Sequence, residues 1–294
     1  MRLLRLFFTC LFALGLSLPV VAQQRSADEI DKLRMDIAGR QRLLSQRMTA
    51  AACFLTLGID RERQIQILTQ SLDLFRVSLD HLETGAPSMG LPPIDGVFAR
   101  IALHESRMIW GPYRNLATQI RDQRSADKTD AQTLLGRLVR LEPILLATSQ
   151  SVVGALERAR APQSGAHLVE IKLAGRQRML SQAIIKDICL LAATHGANGS
   201  AEAHISQIRT KTDLFEKTGY ALRRGIAADT PDPPAPDTFE ALVQAHYAWS
   251  DLIYLLEPAA ADTSLSNTAL FDVAHLYEDL LPRLEEVVWA YVNG

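Results

Sequence analysis

Residues 38–46 read Ala-Gly-Arg-Gln-Arg-Leu-Leu-Ser-Gln, and residues 174–182 read Ala-Gly-Arg-Gln-Arg-Met-Leu-Ser-Gln. The two nonapeptides agree at eight of nine positions, at an offset of 136. Cys53 and Cys189 keep that offset. Further along, Asp73-Leu74-Phe75 with Leu82 and Gly85 returns as Asp213-Leu214-Phe215 with Leu222 and Gly225. Pro92-Pro93 followed by Phe98 and Trp110 returns as Pro233-Pro234 followed by Phe239 and Trp249, and Pro143 returns as Pro282. Matches that recur in one order along the whole chain are the mark of an internal duplication. The repeated unit is about 130 residues, the size of an ordinary domain.

Each unit reads as helix. Ile65, Leu68, Leu72, Phe75, Leu79 and Leu82 recur at steps of three and four, the spacing of one helix face. Period-two alternation between tight turns is scarce, and Asp95-Gly96 has no strand pattern on either side. Breaks fall near Gly58, Gly85 to Pro93, Arg124 to Thr129, Pro162 to Gly165, Gly196 to Ser200, Thr230 to Pro236 and Ala259 to Asn267. They leave eight helices, four to each half. The expected fold is therefore all-α, two tandem up-down-up-down four-helix bundles spanning residues 23–161 and 166–294.

The 294 residues are 48% hydrophobic and 22% charged, enough apolar chain for a sizeable core and too much for disorder. Lys and Arg number 31 against 33 Asp and Glu, so the chain is no globally basic nucleic-acid binder. Arg2 and Arg5 precede an apolar run from Leu6 to Leu18, and Val20-Val21-Ala22 has the small residues of a cleavage site. Residues 1–22 read as a secretory signal peptide cut after Ala22, which marks the protein for export. The alternative is an uncleaved helix that anchors it to the membrane, although Pro19 shortens the apolar run. Removal of the leader takes away Arg2 and Arg5 and makes the formal charge more negative than −2. Cys10 goes with the leader, so Cys53 and Cys189 remain in a compartment where a disulfide can form. The other reading is two small buried hydrophobes in separate bundles.

The repeated nonapeptide resembles the first-helix motif of the PilJ/NarX-type sensor input domain, the periplasmic four-helix domain of nitrate and nitrite sensor kinases and of type IV pilus chemotaxis transducers. In the nitrate sensors this segment places one arginine from each of two subunits around a single anion. Alignment on the shared Ala-Gly and Ser carries that arginine onto Arg42 and onto Arg178. A second family arginine falls on Arg47, but its partner position here is Ala183. Arg40 and Arg176 stand where nitrate sensors tend to have a small residue, which places this chain nearer the chemotaxis transducers.

Helix geometry adds to the resemblance. At 100° per residue, Ile30, Leu33, Ile37, Leu44, Met48, Ala51 and Leu55 share the face turned to the bundle core. Met35, Gly39, Arg42, Gln46, Cys53 and Leu57 lie opposite, and the second half repeats that stripe as Ile171, Gly175, Arg178, Gln182 and Cys189. Glycine in such a stripe lets backbones approach. An up-down-up-down bundle starts and ends at the same end, so a linker from Ala161 to Gly165 sets the two first helices side by side and parallel. The result is a pseudo-twofold intrachain dimer in which Arg42 meets Arg178. Cys53 then meets Cys189 about 16 Å further along. Two guanidiniums held together repel unless an anion lies between them, and a planar oxyanion suits their forked donors. The expected site is Arg42 and Arg178 with the backbone at Gly39 and Gly175. Arg40 and Arg176, at the edge of the core face, are expected to pair with carboxylates of neighbouring helices, and Phe75, Trp110, Phe215 and Trp249 to lie in the cores.

Catalytic patterns are missing. The seven histidines make no His-Glu-x-x-His or Glu-x-x-His set, so neither metal nor other cofactor is expected. No CxxCH, GxGxxG, P-loop or GxSxG motif occurs. Two non-enzymatic readings follow. One is a sensory module that binds a small nitrate-like or nitrite-like anion and signals through a separate membrane-bound sensor kinase or chemoreceptor. The other is a structural or adaptor protein that uses its helical faces against a chemoreceptor, sensor kinase or pilus component.

Overall fold

A computed structural model of the chain describes residues 25–123, 128–160, 167–194, 201–226, 233–260 and 265–293. The leader reading and the linker between the halves lie outside these residues. The first half comprises α1 (Ala27–Leu57), α2 (Arg61–Thr84), α3 (Val97–Asp122) and α4 (Lys128–Arg160). The second comprises α5 (His167–Thr194), α6 (Ala201–Arg223), α7 (Pro236–Ala260) and α8 (Asn267–Asn293). Among the described residues there is no strand, only an isolated bridge between Ala86 and Leu91 beside a short 3-10 turn at Pro87–Met89. The architecture is two tandem four-helix bundles.

Local signals start and stop α1. Ser26 caps it through its hydroxyl to the Glu29 N–H, and the Glu29 carboxylate reaches back to the Ser26 N–H, so two otherwise orphaned donors are satisfied. Gly58, at φ 73°, ends the helix in the left-handed conformation and returns its N–H to Leu55 and Phe54. At the end of α2, Gly85 has φ 82°, and a Cβ there would lie 2.7 Å from the Leu91 carbonyl oxygen, so only glycine fits that turn. Pro143 and Pro282 sit inside α4 and α8 at matched places, as the duplication requires.

Within each bundle every helix packs on its sequence neighbours, and the first and last also meet: α1 on α4, α5 on α8. The bundles join through α1 against α5, with α8 also touching α1. Both central helices are buried all round for much of their length. In α1 residues 41–46 and 48–55 are buried, and in α5 so are residues 180–191. A helix that must pack on its own bundle and on a second helix has no solvent face, and small residues such as Ala50, Ala51 and Ala52 fit it between neighbours on both sides. The aromatic pairs Phe75–Trp110 and Phe215–Trp249 are buried in the two cores, with ring centroids 4.5 Å and 4.1 Å apart.

Cys53 and Cys189 form a disulfide, Cα–Cα 6.1 Å, across the seam between α1 and α5. Both cysteines are fully buried. The bond closes a loop of 136 residues. Closing so long a loop restricts the unfolded chain more than the folded one, and removing such a bond costs about 2–5 kcal/mol. Urea unfolding of a Cys53→Ala/Cys189→Ala variant of residues 23–294 should show a loss within that range, and the oxidised parent of the same length, which lacks Cys10, should present no thiol to a labelling reagent.

Candidate functional site at the seam between α1 and α5

The seam brings both copies of the repeated motif together. Gly39 and Gly175 face a common space, because an added Cβ at either would stand 3.6 Å from Nη2 of Arg42. The same two positions lie 3.8 Å and 3.7 Å from Nη2 of Arg178. Residues at one offset therefore meet here and again at the disulfide, about 21 Å along a helix of 1.5 Å rise, which makes α1 and α5 parallel and in register. The glycines serve a different purpose from the one their spacing suggests. What borders each of them is guanidinium, so the space in front of these positions is taken by arginine and not by an opposing backbone.

Arg42 and Arg178 are almost inaccessible, at 2% and 1% exposure, and their surroundings differ. Arg178 donates from Nη2 to Asp36 Oδ1 at 2.7 Å and from Nη1 to Glu285 Oε2 at 2.6 Å. Burial would pull its pKa down, but the two carboxylates raise it above the usual arginine value. Arg42 donates from Nη1 to Gln150 Oε1 at 2.9 Å, a neutral acceptor. Burial, then Arg178, then Arg176 push its pKa down to about 10, against a smaller opposite pull from Glu157. Glu157 itself is shared with Lys172 at 3.0 Å. Arg42 thus keeps its charge at neutral pH in a place that does not compensate it.

This corrects the expectation of two equivalent cations that require an anion between them. Arg178 is neutralised by protein carboxylates, and the uncompensated charge is on Arg42. Arg40 also departs from expectation, since it pairs with Asp36 on its own helix at 3.0 Å rather than with a neighbour. Arg47 reaches Glu278 of α8 at 2.6 Å and ties the two bundles together, a role unrelated to its absent counterpart at Ala183. A second tie runs from Lys186 on α5 to Glu142 on α4 at 2.7 Å, and Gln46 donates to the same carboxylate.

Several buried donors and acceptors on the seam have no hydrogen-bond partner: Nε of Arg42, Nε of Arg178, and both amide atoms of Gln182. Buried polar groups are paired in the great majority of cases, so such a cluster marks a place suited to a polar guest.

A family model described as the type IV pili methyl-accepting chemotaxis transducer N-terminal domain matches residues 29–135 and, a second time, residues 163–271. The chain belongs to that family. No curated protein and no solved structure matches it. Each match begins near the start of its bundle, so the seam joins the first helices of two PilJ domains within one chain. The PilJ family is one of sensory domains. Among the described residues no group of His, Cys, Asp and Glu is placed to hold a metal, and no helix is long and apolar enough to cross a membrane.

Asp36, Glu285 and Gln150, the partners of the two arginines, escape a reading based on the repeat. Position 36 corresponds to Lys172 in the second half, and on the Pro143–Pro282 register Glu285 corresponds to Leu146 and Gln150 to Trp289. Their only sequence signal is the Asp36–Arg40 spacing of one helical turn.

Burial alone would raise the Asp36 carboxyl, but Arg178 and then Arg40 overcome it and hold the group below its ordinary value. A carboxylate depressed in the folded state contributes stability above its unfolded pKa of about 3.9, and loses it as pH falls through the folded value. Asp36→Asn should cost about 3–5 kcal/mol at pH 7, because it leaves Arg178 buried with one carboxylate. In chemical unfolding from pH 7 down to pH 2, the gap between parent and variant should narrow below about pH 4.

Proposed function

We propose that this protein is a periplasmic sensory module that binds a small oxyanion at the α1–α5 seam and passes the signal to a membrane-bound sensor kinase or chemoreceptor. The observation that carries this reading is the buried Arg42 guanidinium. It keeps its charge beside a second arginine, with one neutral hydrogen-bond partner and an unpaired Nε. Arg42, Arg178, Arg40, Arg176 and Lys172 stand there against Asp36, Glu285 and Glu157, so an anion would relieve a local positive excess. A planar anion such as nitrate or nitrite meets the forked geometry of guanidinium donors. Gly39 and Gly175 set backbone without side chains beside both guanidiniums, and Gln182 offers a further donor from one turn along α5. Membership of a sensory family supports a binding role over a catalytic one.

The seam is also a suitable place from which to signal. An anion drawn in at Arg42 changes the balance of charge between α1 and α5, and any shift there moves one bundle against the other. The adaptor reading has its own support in large apolar side chains left on the surface, among them Phe98 at 75%, Tyr254 at 72% and Trp289 at 67% exposure. It requires no small ligand, so ligand-dependent stabilisation separates the two.

Thermal unfolding of residues 23–294 against nitrate, nitrite and other small anions tests the proposal, with Arg42→Met beside the parent. Without ligand the variant should be as stable as the parent or more so, because an uncompensated buried charge is replaced by an apolar chain. At 100 times the dissociation constant, an anion should add about 2.7 kcal/mol to the parent and nothing to the variant. An equal shift in both proteins places the anion elsewhere, and no shift with any anion favours the adaptor.

A further inference from the structure

The second bundle contains a cavity of about 370 Å³ between α6, α7 and α8, with Gln177 of α5 in its wall. Gln177 immediately precedes Arg178, so the cavity lies at the level of the Arg42–Arg178 seam, but it is built within one half of the duplication. The register of the repeat explains its origin. Phe75 matches Phe215, which puts Leu79 opposite Gly219. Leu79 is fully buried in the first bundle, where it fills the core beside the Phe75–Trp110 pair. Gly219 lies inside α6, where glycine weakens the helix and leaves the matching volume beside Phe215 and Trp249 unfilled.

The side chains around that volume are polar in a particular arrangement. A Cβ added to Gly219 would lie 3.4 Å from Gln177 Oε1 and 3.5 Å from Arg223 Nη1. An acceptor and a charged donor therefore point at the same place. The Gln177 amide nitrogen is already committed to the Phe215 carbonyl at 2.9 Å, which fixes Oε1 in that direction. Glu216 stands at the mouth, where Trp249 Nε1 donates to its Oε1 at 3.5 Å. Walls of Phe215, Trp249, Leu242 and Leu284 complete a pocket that is apolar below and charged above.

The rim is also changed from the first bundle. There Arg107 binds Asp80 at 2.7 Å and Glu83 at 2.5 Å, and Arg76 binds Asp80 at 3.0 Å, so a closed set of ion pairs covers the filled core. The matching positions in the second bundle are His246, Tyr220, Arg223 and Glu216. Burial, Arg223 and a smaller opposing pull from Glu216 leave His246 with a lowered pKa, hence neutral at pH 7. What remains is one cation, Arg223, and one anion, Glu216, two turns apart on the face of α6 that lines the cavity, with Gly219 between them. The volume falls within the range of small-molecule sites, about 300–1,000 Å³.

We propose that this cavity is a second ligand site, for an α-amino acid with an apolar side chain. The carboxylate binds Arg223, and the ammonium binds Gln177 Oε1 and Glu216. The side chain occupies the volume that Leu79 fills in the first bundle, against Phe215 and Trp249. A zwitterion leaves the Arg223–Glu216 balance unchanged, whereas a bare carboxylate or a bare amine would leave one rim charge without a partner.

Isothermal titration of the full chain with L-leucine and L-phenylalanine tests this, alongside 4-methylpentanoate, which lacks the ammonium, and 3-methylbutylamine, which lacks the carboxylate. Saturable binding of an amino acid is expected, with both truncated compounds at least about tenfold weaker. Gly219→Leu restores the side chain of the first bundle and should abolish binding while raising Tm. Arg223→Gln and Glu216→Gln change only rim residues, and each should weaken binding at least about tenfold, so the test does not depend on the core variant folding. Arg42→Met should leave amino-acid binding unchanged. The proposal is overturned if neither amino acid binds, if Gly219→Leu binds as the parent does, or if 4-methylpentanoate binds as tightly as L-leucine.

Discussion

The close, parallel packing of α1 on α5 is the constraint on which the rest of this structure depends. Each of these helices already belongs to a four-helix bundle, so each must also bury the face that a solitary bundle would leave in water. That requirement accounts for the alanine run from Ala50 to Ala52, for a disulfide placed in the interior, and for arginines at 1–2% exposure. It also forces charged groups into a medium where they need specific partners, so the seam gathers Asp36, Glu285 and Gln150 around the guanidiniums and Glu142 around Lys186.

Duplication within one chain has a physical consequence that a homodimer cannot share. In a true twofold pair each residue meets its own copy, and every partner appears twice. Here the two copies of a position evolve separately, so one arginine can be paired with carboxylates while its twin is left with a neutral hydrogen-bond partner. Asp36 opposes Lys172 in the repeat, and Arg47 opposes Ala183. The backbone keeps the pseudo-twofold arrangement and the side chains abandon it.

The same divergence reaches the cores. The first bundle closes over Leu79 with a set of ion pairs, and the second, with Gly219 in place of leucine, opens toward solvent between Arg223 and Glu216. Packing density in protein interiors is high enough that one absent side chain of this size leaves a measurable cavity. The first half is thus an internal reference for the second, with the same helices and aromatic pair but a different filling.

By itself the sequence determined the number of helices, their grouping into two units, the family and the residues that line the seam. These are properties of local pattern, written in three- and four-residue spacing and in a motif that occurs twice, and the offset shared by the motif and the cysteines already implied a parallel register. Only the tertiary structure decided the state of each arginine. Asp36, Glu285 and Gln150 have no counterparts in the repeat, and two of them come from helices more than a hundred residues away in the chain. Whether a buried charge is compensated depends on groups within a few ångströms in space, and the spacing of residues along the chain does not record those distances. The cavity beside Gly219 divides in the same way: the register of the repeat shows leucine exchanged for glycine, and only the meeting of three helices around that position turns the exchange into a cavity.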